Sequence, residues 1–555
     1  MAADKTAHTL LRRLDRLAQQ RSQWESHWQE IADYMRPRKA DITKKSQTPG
    51  NKRTELIFDG TAINAAELLS ASLHGMLTNM STPWFSLRFL DAGHNDDDDA
   101  KEWLEETENV LYGAFHRSNF QEQIHELYDD LILFGTGVML IEPDKETTFR
   151  FSTRHIGEVY LAEDEKGRVD TVYRKFRMFA RAAINQFGAE NVGDKILKIE
   201  ERDPYEMVQI VHVVLPRDER DRTKINKINK PFASYYLEPE ERIVLAESGY
   251  DELPYVVPRW LKSSYELGWG RSPSMNALAD TKVLQKMSEI TLRAAEKQID
   301  PPLMVPDDGF MLPIRTVPGG LNFYRSGTRD RLEPLQIGAN NPLGLNMEEQ
   351  RRAAIRQAFY VDQLIMGQGP QMTATEVIQR TEEKMRLLGP VLGRLQAEML
   401  QPLINRCWNI MLKAKQLPAA PEGLTDVEIE YVSPLAKAQK QSEVQGIVRM
   451  IEMMQPLAGI DPSVLDHLDT DGLAKHVIKV LGMPASVVRG EREIDDIREN
   501  RQQQQQQQQQ MEQMAQMAQA AGQAAPALDA VGGAMEEPPA EDELAQLELV
   551  EGGAA

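Results

Sequence analysis

Near the start of the chain, Leu10, Leu14, Leu17, Trp24, Trp28 and Ile31 recur at helical spacing. That period predicts a helix from Thr6 to Met35. Pro37 ends it, having no N–H to donate to the preceding turn. A second apolar set, Ile63, Leu68, Leu69, Leu73 and Leu77, predicts a helix over Asp59 to Met80. Ser81 to Phe89 then alternates as a strand does. The acidic run Asp96 to Asp99 suits the start of a helix, where the macrodipole favours negative charge. That helix runs to about His116, and another follows from Phe120 to Phe134.

From Gly135 the period changes. Val138 to Glu142, Phe149 to Thr153, Val159 to Ala162, Val169 to Phe176 and Met207 to Leu215 are short, β-rich and bounded by turn residues. Asp164 to Gly167 reads as a hairpin turn. Ser234 to Leu237 and Arg242 to Ser248 read as one more hairpin. The middle third is thus a mostly antiparallel β region, with one inserted helix near Phe179 to Phe187.

Helical spacing returns after Ser272. Ser272 suits an N-cap and Pro273 the first helical position, where a missing N–H costs nothing. Met275, Ala279, Val283, Met287, Ile290 and Ala294 carry that helix towards Pro301-Pro302. Residues 301–342 mix Pro and Gly with β-prone pieces at Leu303 to Val305 and Leu321 to Tyr324. A further helix covers Leu345 to Tyr360, and Gly367 and Gly369-Pro370 prevent its continuing. Thr373 and Glu376 form a capping box, with Met372 and Val377 placed as its staple. The helix they open extends towards Leu417, with kinks expected at Pro390 and Pro402. Beyond Ser433 the pieces Ala436 to Met454, Ser463 to Leu468, Gly472 to Leu481 and Ala485 to Val488 read as helices between prolines. An unbroken glutamine run, Gln502 to Gln510, leads into Met511, Met514 and Met517 at helical spacing. The end of the chain is rich in Ala, Gly, Pro and Glu, and residues 521–555 are expected to be a disordered acidic tail. The fold class is α+β and predominantly helical.

Composition changes this picture in three ways. A chain of 555 residues holds roughly three to four modules. Its formal net charge of −21 is the reverse of the basic excess by which proteins grip phosphates, so it repels nucleic acid at long range. Its one cysteine, Cys407, excludes an internal disulfide and reads as a small core residue beside Trp408. Met1 to Arg13 shows no secretory signal, and no run approaches the ~20 apolar residues of a membrane span. Synthesis in a reducing host cytoplasm, without membrane association, is expected. The basic stretch Arg36, Arg38, Lys39, Lys44 and Lys45 reads as a solvated linker, or else as a subunit or nucleic-acid contact.

No catalytic constellation emerges. The chain has no Gly-x4-Gly-Lys-Ser/Thr, no His-Glu-x-x-His and no Gly-x-Ser-x-Gly. Gly135-Thr136-Gly137 lacks the third glycine of a dinucleotide fingerprint and reads as a tight turn. His467, Asp469 and Asp471 read as a loop with helix-capping acids rather than as metal ligands. No cofactor, metal or enzymatic activity is expected.

Four stretches carry a resemblance: LLSASLHGMLTNMSTPWFSL (Leu68 to Leu87), LYDDLILFGTGVMLIE (Leu127 to Glu142), MTATEVIQRTEEKMRLLGP (Met372 to Pro390) and YVSPLAKAQKQSEVQGI (Tyr431 to Ile447). With the order of elements, they make the chain resemble the portal, or head-to-tail connecting, proteins of short-tailed bacteriophages. The resemblance spans about residues 5–500. It implies a homo-oligomeric ring of twelve at one capsid vertex of the virion, through which double-stranded DNA passes without sequence specificity. It implies a wing at 1–271, stem helices at 272–300 and 343–360, a clip at 301–342 and a channel loop at 361–372. A long kinked wing helix with its connector would follow at 373–432, and a helical crown at 433–501. Residues 502–520, a Gln/Met-rich possible helix, and the tail lie outside it. Gln363, Gln368 and Gln371 would then face the channel. Lys282, Lys286 and Arg293 would line the stem lumen, or else serve as helix-surface salt bridges. Arg325, Arg329, Asp330 and Arg331 would dock partners at the clip: the terminase packaging motor first, the tail adaptor later. Major capsid and scaffold proteins complete the implied partners. The rival readings are another virion or scaffold protein without a channel, or a metal-dependent nuclease or peptidase using Asp96 to Asp99 or Glu491 to Asp496.

Overall fold

The computed structural model describes residues 5–43, 50–89, 98–304 save 225 and 267, 342–364, 388–420, 427–431, 468–481 and 491–528, with isolated positions (314, 323, 333–334, 444, 446–454, 456 and 489) between them. The chain divides into two compact units, Met1–Gly482 and Met483–Ala555.

The first unit opens with helix α1 (Lys5–Met35), then α2 (Thr61–Leu77), strand β1 (Phe85–Phe89), α3 (Asp98–Arg117) and α4 (Phe120–Phe134). Strands β2 (Met139–Asp144) and β3 (Thr148–Thr153) form a hairpin, and β4 (Val159–Glu163) and β5 (Val169–Phe179) form another. Gly167 takes φ +74° in the turn of the second, a conformation that glycine adopts without a Cβ penalty. Two short helices follow, α5 (Ala180–Phe187) and α6 (Asp194–Arg202). The sequence pattern predicts only the first. The apolar face of α6 is short, and only Ile196 of it is buried. Strands β6 (Met207–Pro216), β7 (Phe232–Glu238), β8 (Ile243–Tyr250) and β9 (Tyr255–Val256) complete the β region. All described pairings are antiparallel, as expected. β4-β5-β6-β7-β8 form one sheet and β3-β2-β9 another.

Helix α7 (Pro273–Ile299) leaves the β region, and β10 (Leu303–Met304) pairs with β11 (Glu333–Pro334). Then come α8 (Pro342–Ala358) and a single turn, α9 (Val361–Leu364). Residues 388–395 are helical and lead into a π-turn, Gln396–Leu400, then α10 (Gln401–Ala414). The π-turn sits where a kink at Pro402 is expected. Pro402 cannot donate to the carbonyl of Glu398, and one wider turn accommodates that loss. The capping box at Thr373 and Glu376 lies outside the described residues. Strand β12 (Val427–Tyr431) pairs with β1, and α11 (Thr470–Leu481) follows. Asp469 Oδ1 accepts from the N–H groups of Asp471 and Gly472 at 3.1 and 2.9 Å, so this acid caps α11.

The second unit is described as one helix, α12 (Glu491–Leu528), of 38 residues. It therefore includes the glutamine run and extends into the segment expected to be disordered. Gln, Met and Ala favour helix strongly enough to carry it beyond Gln519.

The core runs through α2, α3, α4, the β2–β3 hairpin and α10, and seals Cys407. Phe115, Phe120, Phe149 and Phe151 pack within about 6 Å of one another. Two residues of the basic stretch after α1 correct its sequence reading. Arg36 and Lys39 are buried, neither a solvated linker nor an outward contact, whereas Arg38 is exposed and Lys44 and Lys45 lie outside the described residues. Arg36 reaches Asp129 at 2.6 Å and also pairs with Glu67. Lys39 reaches Asp130 at 2.6 Å and Asp129 at 3.2 Å. Burial alone would lower the Lys39 pKa, but Asp130 and Asp129 outweigh it and hold the ammonium above its ordinary value.

Candidate functional site

The helix pair α7 and α8 is positioned from both ends. At the N-terminus of α7, Ser272 Oγ accepts from Met275 N–H at 3.1 Å, as a cap should. The same hydroxyl donates to the Leu133 carbonyl at 2.8 Å, and Ser274 Oγ donates to Ile132 O at 2.8 Å. These bonds seat α7 on the last turn of α4. There Gly135 takes φ +77°, and its backbone meets Gly270 so closely that a Cβ on either glycine would come within 2.3 Å of the other's carbonyl oxygen. Farther along, Asp280 pairs with Arg351 at 2.7 Å, and Thr291 Oγ1 donates to Glu348 at 2.6 Å. Asp59, ahead of α2, pairs with Arg352 at 2.9 Å. Burial raises the Asp59 pKa, but the bonds from Thr61 and Arg352 outweigh it and hold the carboxyl below its usual value.

The three basic residues singled out on α7 all sit in ion pairs. Lys282 reaches Glu30 at 3.1 Å, and Lys286 and Arg293 share Glu289 at 2.9 and 2.6 Å. In the single chain they have the helix-surface role. Gln363 lies on α9, not in an open loop. Tyr360, with φ +58°, breaks the path between α8 and α9. Gln363 is half-buried, and its Oε1 has no hydrogen-bond partner. Gln368 and Gln371 lie outside the described residues, as do Arg325, Arg329, Asp330 and Arg331. Of the 301–342 segment, the β10–β11 pairing is what the structure describes beside a few single positions.

Two arrangements escape sequence reading. Buried Arg259 pairs with Glu398 at 2.7 Å and with Glu163, donates to Gly167 O at 3.0 Å, and shares Glu163 with Lys262. This joins the β4–β5 turn to the π-turn before α10. Burial opposes the Arg259 charge, but Glu398 and Glu163 outweigh it. The second is His212, whose Nδ1 and Nε2 lie 2.9 Å from Tyr255 OH and 3.0 Å from Ser234 Oγ. The geometry resembles an activated serine, but Ser234 is 1% and His212 2% exposed, so no substrate reaches them. Burial pushes His212 down to about 3, which keeps it neutral. Among the described residues no cluster of His, Cys, Asp and Glu is placed to hold a metal, and no helix is long and apolar enough to cross a membrane.

One buried carboxyl gives a pH signature. Glu108 on α3 accepts from Leu87 N–H of β1. Burial pushes its pKa up to about 7 from an ordinary 4.5. The neutral form is favoured in the fold, so its stabilisation is complete below pH 4.5 and is lost as pH rises to 7. Glu108→Gln keeps the acceptor and removes the charge. We expect it to raise stability at pH 8 by up to about 3 kcal/mol and to change little at pH 4, as measured by urea unfolding.

The chain matches the model of the family described as "Bacteriophage head to tail connecting protein" over residues 7–488. It is 33% identical over 506 residues to a "Probable portal protein" of Bordetella phage BPP-1, covering 89% of this chain and 90% of that one. It is 32% identical over 508 residues to the "Portal protein" of Salmonella phage epsilon15, with 90% and 91% covered. The "Portal protein" of Enterobacteria phage T3 matches at 20% over 376 residues, with 65% and 66% covered. The chain belongs to the bacteriophage head-to-tail connecting protein family.

Proposed function

We propose that this chain is the portal subunit of a bacteriophage, a non-enzymatic ring protein at one capsid vertex through which DNA enters and leaves. The family match across residues 7–488 carries the reading. In it, residues 1–271 form the wing, 272–300 and 343–360 the stem, 301–342 the clip and 433–501 the crown. The clip docks the terminase motor and then the tail adaptor, and capsid and scaffold proteins meet the ring during head assembly. A net charge of −21 suits a conduit, because a strongly basic channel would hold the duplex by counterion release. We expect purified protein to form closed rings with a central hole, twelve-fold by resemblance. Native mass measurement and negative-stain imaging test this, and a strictly monomeric chain at micromolar concentration under all salt conditions overturns it. The glutamine-rich part of α12 suits bundling with neighbouring copies, while truncation after Gln519 leaves ring assembly intact.

Residues 361–372 supply the channel loop in this reading. Gln368 and Gln371 touch a phosphate backbone without holding it, since neutral amides release few counterions, while Gln363 stays half-buried on α9 at the start of the segment. Substituting Gln368 and Gln371 by Lys is expected to slow DNA passage and make retention salt-dependent. In vitro packaging, with retention scored after motor removal, checks this. Unchanged retention leaves the segment a plain connector.

A further inference from the structure

The five-stranded sheet is covered unevenly. One face of its far end packs on α5 and α6 through Ala183, Phe187, Ile196, Val208 and Ile210. On the opposite face α1 seals Tyr173, Val211 and Val213 with Ala7, Leu10 and Leu14. Residues two apart share a strand face, so Arg177 and Phe179 continue the Tyr173 face. Among the described residues of α1, none is grouped with them. Phe179 and its cross-strand partner Met207 are 42% and 55% exposed. Tyr205, 60% exposed, meets Phe179 edge-on at 5.9 Å. Arg181 sits 5.1 Å from the Tyr205 ring centroid. Arg177 is exposed and has no ion pair among the described residues. Aromatic, Met and Arg side chains are the residue types that interface centres collect. A phosphodiester ligand would need a larger basic field than two arginines in a chain of net charge −21.

The complement lies on α3. Asp99, Glu102 and Glu106 are exposed and spaced three and four apart, so they form one acidic stripe opposite the buried Trp103, Leu104 and Thr107. We infer that Arg177, Arg181, Phe179, Tyr205 and Met207 of one copy receive the Asp99–Glu102–Glu106 stripe of a second copy of this chain. One patch meeting a different patch is the heterologous contact a closed ring requires. The inference rests on the ring reading and names one contact within it.

Charge exchange tests it. Arg177→Glu with Arg181→Glu, and separately Glu102→Arg with Glu106→Arg, are each expected to lower the assembled fraction at least ~10-fold, because like charges then face each other. All four together restore assembly to within about 3-fold of the original. Because every changed residue is exposed, circular dichroism and the unfolding midpoint stay unchanged, and the milder Arg177→Gln with Arg181→Gln gives an intermediate loss. Mass photometry reads all of these. Rings that persist in the reversed variants overturn this contact alone, as does failure of the fourfold variant to recover. If reversed rings form normally but fail to enter particles, the patch serves a different protein and the second copy is ruled out. An unmodified chain that never assembles removes the ring reading and this contact together.

Discussion

Replacing Gly135 by alanine is expected to destabilise the first unit by roughly 2–5 kcal/mol. Two independent costs add. The residue holds φ +77°, and an L side chain in the left-handed region costs about 1–2 kcal/mol. The new Cβ would also lie 2.3 Å from Gly270 O and 2.6 Å from Gly270 C. Those are backbone atoms that cannot rotate away, and overpacking of this kind costs about 1–3 kcal/mol. Gly270→Ala meets the same contact without the positive φ, so its loss is smaller, by about the left-handed penalty. At Gly75, exposed on α2 and followed by Met76, a Cβ would meet nothing within 4 Å. Gly75→Ala is the control, expected to be neutral or to stabilise by about 0.5–1 kcal/mol. Urea unfolding of the three variants checks the ordering. A loss under about 1 kcal/mol for Gly135→Ala would mean that the two backbones can part without consequence.

Arg259→Met should cost up to about 3 kcal/mol, because it weakens the countercharge on Glu398 and Glu163 in a buried site. Lys262 still serves Glu163 and Arg394 still reaches Glu398 at 3.2 Å, so the loss is that of the bridge between the two turns rather than of a bare charge. One further outcome separates this from simple loss of packing. Adding Glu398→Gln recovers part of the stability, giving a coupling energy of about 1–3 kcal/mol in a double-mutant cycle. Additive losses would show that the charges are not what joins the two turns.

Much of the fold was legible because it is local. The bounds of α4, the cap at Ser272, the turn at Gly167 and the stop before Pro301 each depend on residues within one or two turns of the chain. The kink at Pro402 was legible for the same reason, though not that a π-turn would absorb it. What could not be read depends on distant partners. Arg36 and Lys39 lie in a basic stretch that looks solvated until α4 brings Asp129 and Asp130, more than 90 residues away, against it. Arg259 carries no mark of burial, since Glu163 and Glu398 approach it from either side in sequence. The candidate site divides similarly. Lys282, Lys286 and Arg293 fall on α7 as their spacing implies, and Lys286 and Arg293 meet Glu289 three and four residues away on the same helix, but the pairing of Lys282 with Glu30 of α1 is a property of assembled helices. Gln363 falls on α9 because Tyr360 adopts a backbone conformation uncommon for its residue type.

The pairing of β1 with β12 sets a clock on biosynthesis. At translation rates of roughly 5–20 residues per second, the ribosome takes roughly 17–70 s to travel from Phe89 to Val427, and for that time one edge of β1 has no strand beside it. The other edge is served much sooner. Tyr112 OH takes the N–H groups of Trp84 and Phe85 at 2.9 Å, and Glu108 takes that of Leu87. Both come from α3, which leaves the ribosome within seconds of β1. A nascent chain can therefore dock β1 on α3 early and present one open edge, the one that its own β12 must reach before another chain's does.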